Sequence, residues 1–206
     1  MSKGEQTRGA IVGSALALAS EVGLEGVSIG VLADRMKMSK SGLFAHFSSK
    51  ENLQVAVLDE AIRRFVEIVI SPALREKRGE PRVRALFDRW LAWMDQDFMP
   101  GGCIFMAASV ELDDKPGPAR DRLVQSQKDW LDTLAGAARI AVEEGHFRSD
   151  LDVSQLAFEL YSTVQGYHVL RRLVRDPRAL ARTRAAFDRL LLNARGQRPP
   201  VPYDLK

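Results

Sequence analysis

The chain has 206 residues, 46% of them hydrophobic and 28% charged, which is enough apolar material for a substantial core. Its 30 Lys and Arg stand against 27 Asp and Glu, a formal net charge of +3, so any surface for nucleic acid must be local. A lone cysteine, Cys103, excludes an intramolecular disulfide and a cysteine-cluster zinc site and fits a reducing cytosol. The first residues lack the apolar region of a signal peptide, and no later run nears the roughly 20 apolar residues of a membrane span. The expectation is a soluble cytoplasmic protein with no membrane partner, no cofactor and no metal site.

In chain order, Thr7 is placed to cap a first helix whose buried face carries Ile11, Ala15, Leu18, Ala19 and Val22, and Gly23 is placed to end it. Ser28 then reads as the cap of a helix of about two turns with Ile29, Leu32, Ala33 and Met36 on one stripe. Lys37-Met38-Ser39 makes a tight connection to a second short helix, capped by Ser39, whose Leu43 and Phe47 point back at that stripe. Two short helices joined so closely form a helix-turn-helix. Ser48 to Glu51 has the capping-box pattern and opens a long helix through Leu53, Val57, Phe65 and Val69, with Pro72 at its end.

Further helices follow over 83–98 and 104–112, the latter entered through Gly101-Gly102-Cys103. Another runs from about Leu123 to Glu144, and the last two are expected over 152–174 and 177–194. No segment alternates with the period of a strand. The expected fold is all-α, with about nine helices. It divides into a helix-turn-helix domain over 1–50, a larger helical domain over 51–195 and a flexible tail over 196–206.

The stretch Gly26-Val27-Ser28-Ile29, Leu32-Ala33 and Met38 through Leu53 resembles the DNA-binding domain of TetR-family transcriptional regulators, over about the first quarter of the chain. Lys37 stands where that family often has glycine, and Phe44 where it often has tyrosine. The resemblance implies a homodimeric, ligand-responsive repressor acting on a double-stranded DNA operator. The residue chemistry points the same way, because Arg35, Lys37, Lys40, His46 and Lys50 occur between Arg35 and Lys50 with no acidic residue among them. Short side chains at Ser39, Ser41 and Gly42 allow close approach to a phosphate or a base edge. The candidate DNA-binding residues are Arg8, Ser28, Lys37, Ser39, Lys40, Ser41, Gly42, Phe44, His46 and Lys50. Lys40 is suited to a guanine edge or a phosphate, Phe44 to packing, and His46 either to DNA or to local packing.

In the larger domain, Phe65, Trp90, Met94, Cys103, Phe105, Met106, Trp130, Tyr161, Gln165 and His168 are candidates either for plain core or for a pocket that takes a small apolar effector. Cys103, near a helix N-terminus, is also a candidate redox sensor, although a buried inert thiol is the commoner outcome for such a residue, and a DNA-binding dimer with no effector is a further alternative. Leu156, Leu160, Val164, Tyr167, Phe187, Leu190 and Leu191 form the expected dimer stripes, unless they bury against earlier helices of the same chain. The chain is not expected to be an enzyme. It has no phosphate loop, nucleophile elbow or HExxH, its histidines are scattered, and Asp113-Asp114 falls in a turn.

Overall fold

The structure, a computed structural model, describes residues 2–196. Residues 197–206, most of the expected tail, lie outside the described residues. Every regular element among the described residues is helical: α1 (Lys3–Gly26), α2 (Ile29–Met36), α3 (Lys40–Phe47), α4 (Lys50–Phe65), α5 (Ser71–Leu74), α6 (Glu80–Trp93), α7 (Ile104–Leu112), α8 (Pro118–Glu143), α9 (Val153–Arg172) and α10 (Ala179–Ala194). A single π turn, Val66–Ile70, joins α4 to α5, so Lys50–Leu74 runs as one helix and the described residues hold nine. Helix thus continues past Pro72. That proline has no N–H to donate and crowds the carbonyl four residues back, and the backbone meets this by widening the turn before it. No helix among the described residues is long and apolar enough to cross a membrane.

Two helix caps differ from their sequence reading, and α6 and α8 start at Glu80 and Pro118, ahead of the expected 83 and Leu123. α1 begins at Lys3 because Ser2 and Glu5 form a complete capping box: Glu5 N–H donates to Ser2 Oγ and Ser2 N–H to Glu5 Oε2. Thr7, the expected cap, donates its hydroxyl to the Lys3 carbonyl instead. At the start of α4 the cap is Ser49, which accepts from Asn52 N–H at 3.0 Å, while Ser48 closes α3 in a left-handed conformation. Two adjacent serines offered both registers.

The chain forms two compact units. The first comprises the residues up to Ser71 together with Trp90–Lys128, and the second Pro72–Arg89 with the residues from Asp129 on. Each unit joins segments distant in sequence. In the first, α1 packs on both α4 and α7. Ile11, Ala15, Leu16 and Ala19 are fully buried on α1, as are Leu53, Val57 and Leu58 on α4 and Ile104 and Ala108 on α7. Phe65 meets Trp93 and Phe105 edge-on at 5.1 and 5.8 Å, a geometry that aligns ring edges with ring faces.

In the second unit Phe87 stacks on Phe187 at 3.8 Å between ring centres. Burial works against the charge on Glu80, but hydrogen bonds from Arg195 and Arg84 outweigh it and hold its carboxyl below the usual range. His146 is far from idle, since its Nδ1 accepts from Glu80 N–H at 3.1 Å and so caps the start of α6. The ring fits there because Gly79, at φ 89°, offers no Cβ to meet it.

The expected dimer stripes are corrected here. Leu156, Leu160, Val164 and Tyr167 of α9 and Phe187 and Leu191 of α10 are buried within the chain, and Leu190 is half-buried. The two helices pack on each other, so the apolar stripe that the sequence displays is consumed inside the protomer. The apolar side chains left in solvent lie elsewhere on and beside these helices: Phe158 is 60% exposed and Leu173 80%, with Val169, Val174 and Leu180 also exposed.

Candidate nucleic-acid interface

The helix-turn-helix is built by backbone capping. Ser28 Oγ accepts from Val31 N–H at 3.2 Å and starts α2, and Ser39 Oγ accepts from Gly42 N–H at 3.1 Å and starts α3. Between them Lys37 takes a left-handed conformation (φ 54°, ψ 40°), while Met38 N–H returns to the Ala33 carbonyl at 2.9 Å. That is a Schellman-type stop made without glycine. Gly42 has its own reason to lack a side chain, because a Cβ there would stand 3.0 Å from Ser39 Oγ.

Leu43 and Phe47 are buried and anchor α3, each contributing roughly 1.5–3 kcal/mol by removal from water. The opposite face is open: Ser41 and Ala45, one turn apart, are exposed, and Phe44 beside them is 49% exposed. Phe44 is therefore no packing residue, and its ring offers an apolar surface of the kind that meets a thymine methyl. Lys40 is exposed, with its ammonium over Gly30 in the first turn of α2. Helices leave their first backbone N–H groups without an internal partner, so Lys40 adds a positive charge where such groups already favour an anion.

The remaining candidates fall around this centre. Arg8 holds its guanidinium 5.1 Å from the centre of the Phe47 ring, and with His46, Asn52 and Asp59 it lines a groove beside the end of α3. His46 is half-buried there, away from Lys40 and Ser41. Lys37 and Ser39 are exposed in the turn. Lys50 Nζ donates to the Glu25 carbonyl at 2.8 Å and lies 3.4 Å from its carboxylate, which leaves part of its donor capacity for another anion. The sequence reading missed Asn52, whose Nδ2 donates to the Phe47 carbonyl at 3.0 Å and ties the end of α3 to α4. Its position three residues after Ser49 was the available signal.

The residues proposed for an effector pocket divide between the units. Phe65, Trp90, Met94, Cys103, Phe105 and Met106 belong to the first and are all buried. Trp130, Tyr161, Gln165 and His168 belong to the second, where Trp130 is buried and the other three are half-buried. Burial, with the nearby Arg172, lowers the His168 pKa and favours a neutral ring whose buried Nδ1 has no hydrogen-bond partner. Cys103 is also buried, and loss of solvent pushes its thiol up rather than down. The helix N-terminus that suggested a reactive thiolate is thus overridden, and the redox reading is withdrawn.

Residues 11–57 match the family model described as bacterial regulatory proteins, tetR family, and residues 79–187 match that of the tetracyclin repressor-like C-terminal domain. The chain is 30% identical over 152 residues to the HTH-type transcriptional repressor KstR2 of Mycobacterium tuberculosis, covering 71% of this chain and 72% of that protein. Among solved structures, it superposes on a TetR transcriptional regulator from Chloroflexus aurantiacus with a TM-score of 0.84, 25% identity and coverage of 96% and 98%. AibR in complex with isovaleryl coenzyme A and operator DNA matches with a TM-score of 0.67 and 25% identity, over 78% of this chain and 85% of that one.

The left-handed Lys37 yields a prediction. A side chain at that conformation costs roughly 1–2 kcal/mol, so Lys37→Gly should raise the melting temperature by about 2–4 °C per kcal/mol recovered. The lost charge should at the same time weaken binding to every duplex and flatten the log–log salt slope by about one phosphate contact. Calorimetry and salt titrations check both, and an unchanged slope would remove Lys37 from the interface.

Proposed function

The chain belongs to the TetR family of bacterial regulatory proteins, and we propose that it is a repressor that holds a palindromic operator as a homodimer and releases it on binding a small, largely apolar effector. The observation that carries the DNA-binding part is the open face of α3. Ser41, Phe44 and Ala45 stand outward with Lys40 over the start of α2, in a stretch with no carboxylate from Arg35 to Lys50. In this reading residues 1–50 make the DNA contacts, and 51–195 receive the effector and dimerise, in the cytoplasm. Repression needs no surface beyond these, because a dimer seated on a promoter blocks polymerase by occupancy.

Support for an effector comes from the aromatic and methionine side chains of α6 and α7, and from AibR, which is seen with both isovaleryl coenzyme A and operator DNA. The short branched isovaleryl group is the small apolar part of that ligand, so isovaleryl coenzyme A is the first probe, with free isovalerate beside it to show whether the acyl group alone is enough. To act it must bind the DNA-free state more tightly, since equal affinity for both states shifts nothing.

DNA recognition is tested with a duplex of about 30 base pairs selected on the wild-type protein from a random pool, long enough for two half-sites about 34 Å apart. Lys40→Ala should weaken that duplex by about 1–3 kcal/mol and relax base preference within each half-site. A loss equal on selected and random duplexes would make Lys40 a phosphate contact only.

The proposed dimer face lies on the outer side of α9 and at the ends of α9 and α10. Phe158 and Val169 are about three turns apart and share one side of α9, with Gly166 near them leaving open space for close approach. Phe158→Asp with Leu173→Asp should halve the mass seen by light scattering without unfolding, since both side chains are solvent-exposed in the protomer. A double variant that keeps the wild-type mass would contradict this face.

A further inference from the structure

The last two turns of α1 are not a simple helix end. Gly23 takes φ 78° and ψ 165°, which breaks the helix and re-aims the residues after it. The break frees the Leu24 amide, which donates to Glu111 Oε2 of α7 at 2.7 Å across 87 residues of sequence. The Leu24 carbonyl accepts from Gln54 Nε2 of α4 at 3.2 Å, in addition to a local bond from Val27 N–H. The two peptide groups that flank Leu24 are therefore gripped, one from α7 and the other from α4.

The grip extends in both directions. Gln54, only 5% exposed, also donates to Glu25 Oε1 at 2.8 Å, and Glu25 in turn receives Lys50, the first residue of α4. Asn52 then ties α4 to the last carbonyl of α3. On the α7 side the approach is shaped for the carboxylate, since a Cβ on Gly23 would fall 1.6 Å from Glu111 Oε1. A second clasp lies one turn earlier, where Gly101 N–H donates to Ser20 Oγ at 2.9 Å and a Cβ on Gly101 would overlap the Ser20 carbonyl.

We propose that Glu111 is a positioning residue for DNA binding: by holding the Leu24 amide it fixes the broken end of α1 against α4 and so sets the pose of α3. A carboxylate accepting a half-buried N–H makes a stronger bond than a neutral pair, and that bond also depends on reach, because a retracted oxygen leaves the amide without its acceptor. Glu111 also sits on the helix that carries Phe105 and Met106. The inference rests on the reading of α3 as the DNA-contacting helix.

Two conservative variants separate reach from charge. Glu111→Gln keeps an oxygen at the same distance, whereas Glu111→Asp keeps the charge and pulls the oxygen back by one methylene. Glu111→Asp should exchange its Leu24 amide about tenfold faster and bind the selected duplex about tenfold more weakly, with an unchanged log–log salt slope because no phosphate contact is lost. Glu111→Gln, which keeps the reach and loses the charge, should fall between wild type and Glu111→Asp in both readouts. Lys40→Ala on the same duplex separates the two ideas: wild-type binding there would fell the reading of α3. Wild-type Leu24 exchange and affinity in Glu111→Asp would overturn the positioning role, as would equal losses in Glu111→Gln and Glu111→Asp.

Discussion

The first unit depends on α1 satisfying two neighbours at once. Its apolar face is made of small and medium side chains, with Ala15 and Ala19 between Ile11 and Leu16, so α4 and α7 both come close enough to pack on one helix. Gly101 pushes this to the limit, lying where any side chain would strike the Ser20 carbonyl. Such packing has little slack, because interiors are dense and a displacement of one helix is felt by the next. Any movement of α7 relative to α1 must therefore appear either as strain or as motion of α4, and only two residues separate the start of α4 from the end of α3.

The helix-turn-helix itself has a small core of its own. α2 and α3 have eight residues each, too short to persist alone, and they are held by two buried side chains from each helix, three serine caps and a left-handed turn. This economy leaves the outward face of α3 free of structural duty. Ser41, Phe44 and Ala45 keep no buried partner to satisfy, so that face is available for base edges, and the pose of the helix is set from behind by Asn52 and Phe47.

What the sequence revealed follows the range of the interactions involved. The caps Ser28 and Ser39, the stop at Gly23 and the limits of α7 rest on contacts a few residues apart, and all are visible in local pattern. The caps Thr7 and Ser48 were misread by a few residues or by one, since alternative serines stood nearby and the choice depended on where the helices were already held. The apolar stripes of α9 and α10 were legible as stripes, but periodicity reports that a face is buried and not which neighbour buries it. Local pattern left Cys103 open between a reactive thiolate and a buried core thiol for a similar reason, because a helix N-terminus is a local feature and burial is not. The bond from Leu24 to Glu111 had no local signal at all.

The most direct measurement of the central claim, that α2 and α3 form the surface that holds DNA, is amide hydrogen exchange of the protein free and saturated with the selected duplex. Slowed exchange is expected across residues 28–50 and strongest in 39–47. Protection confined to residues 129–194, or none across 28–50 at full occupancy, would contradict the account.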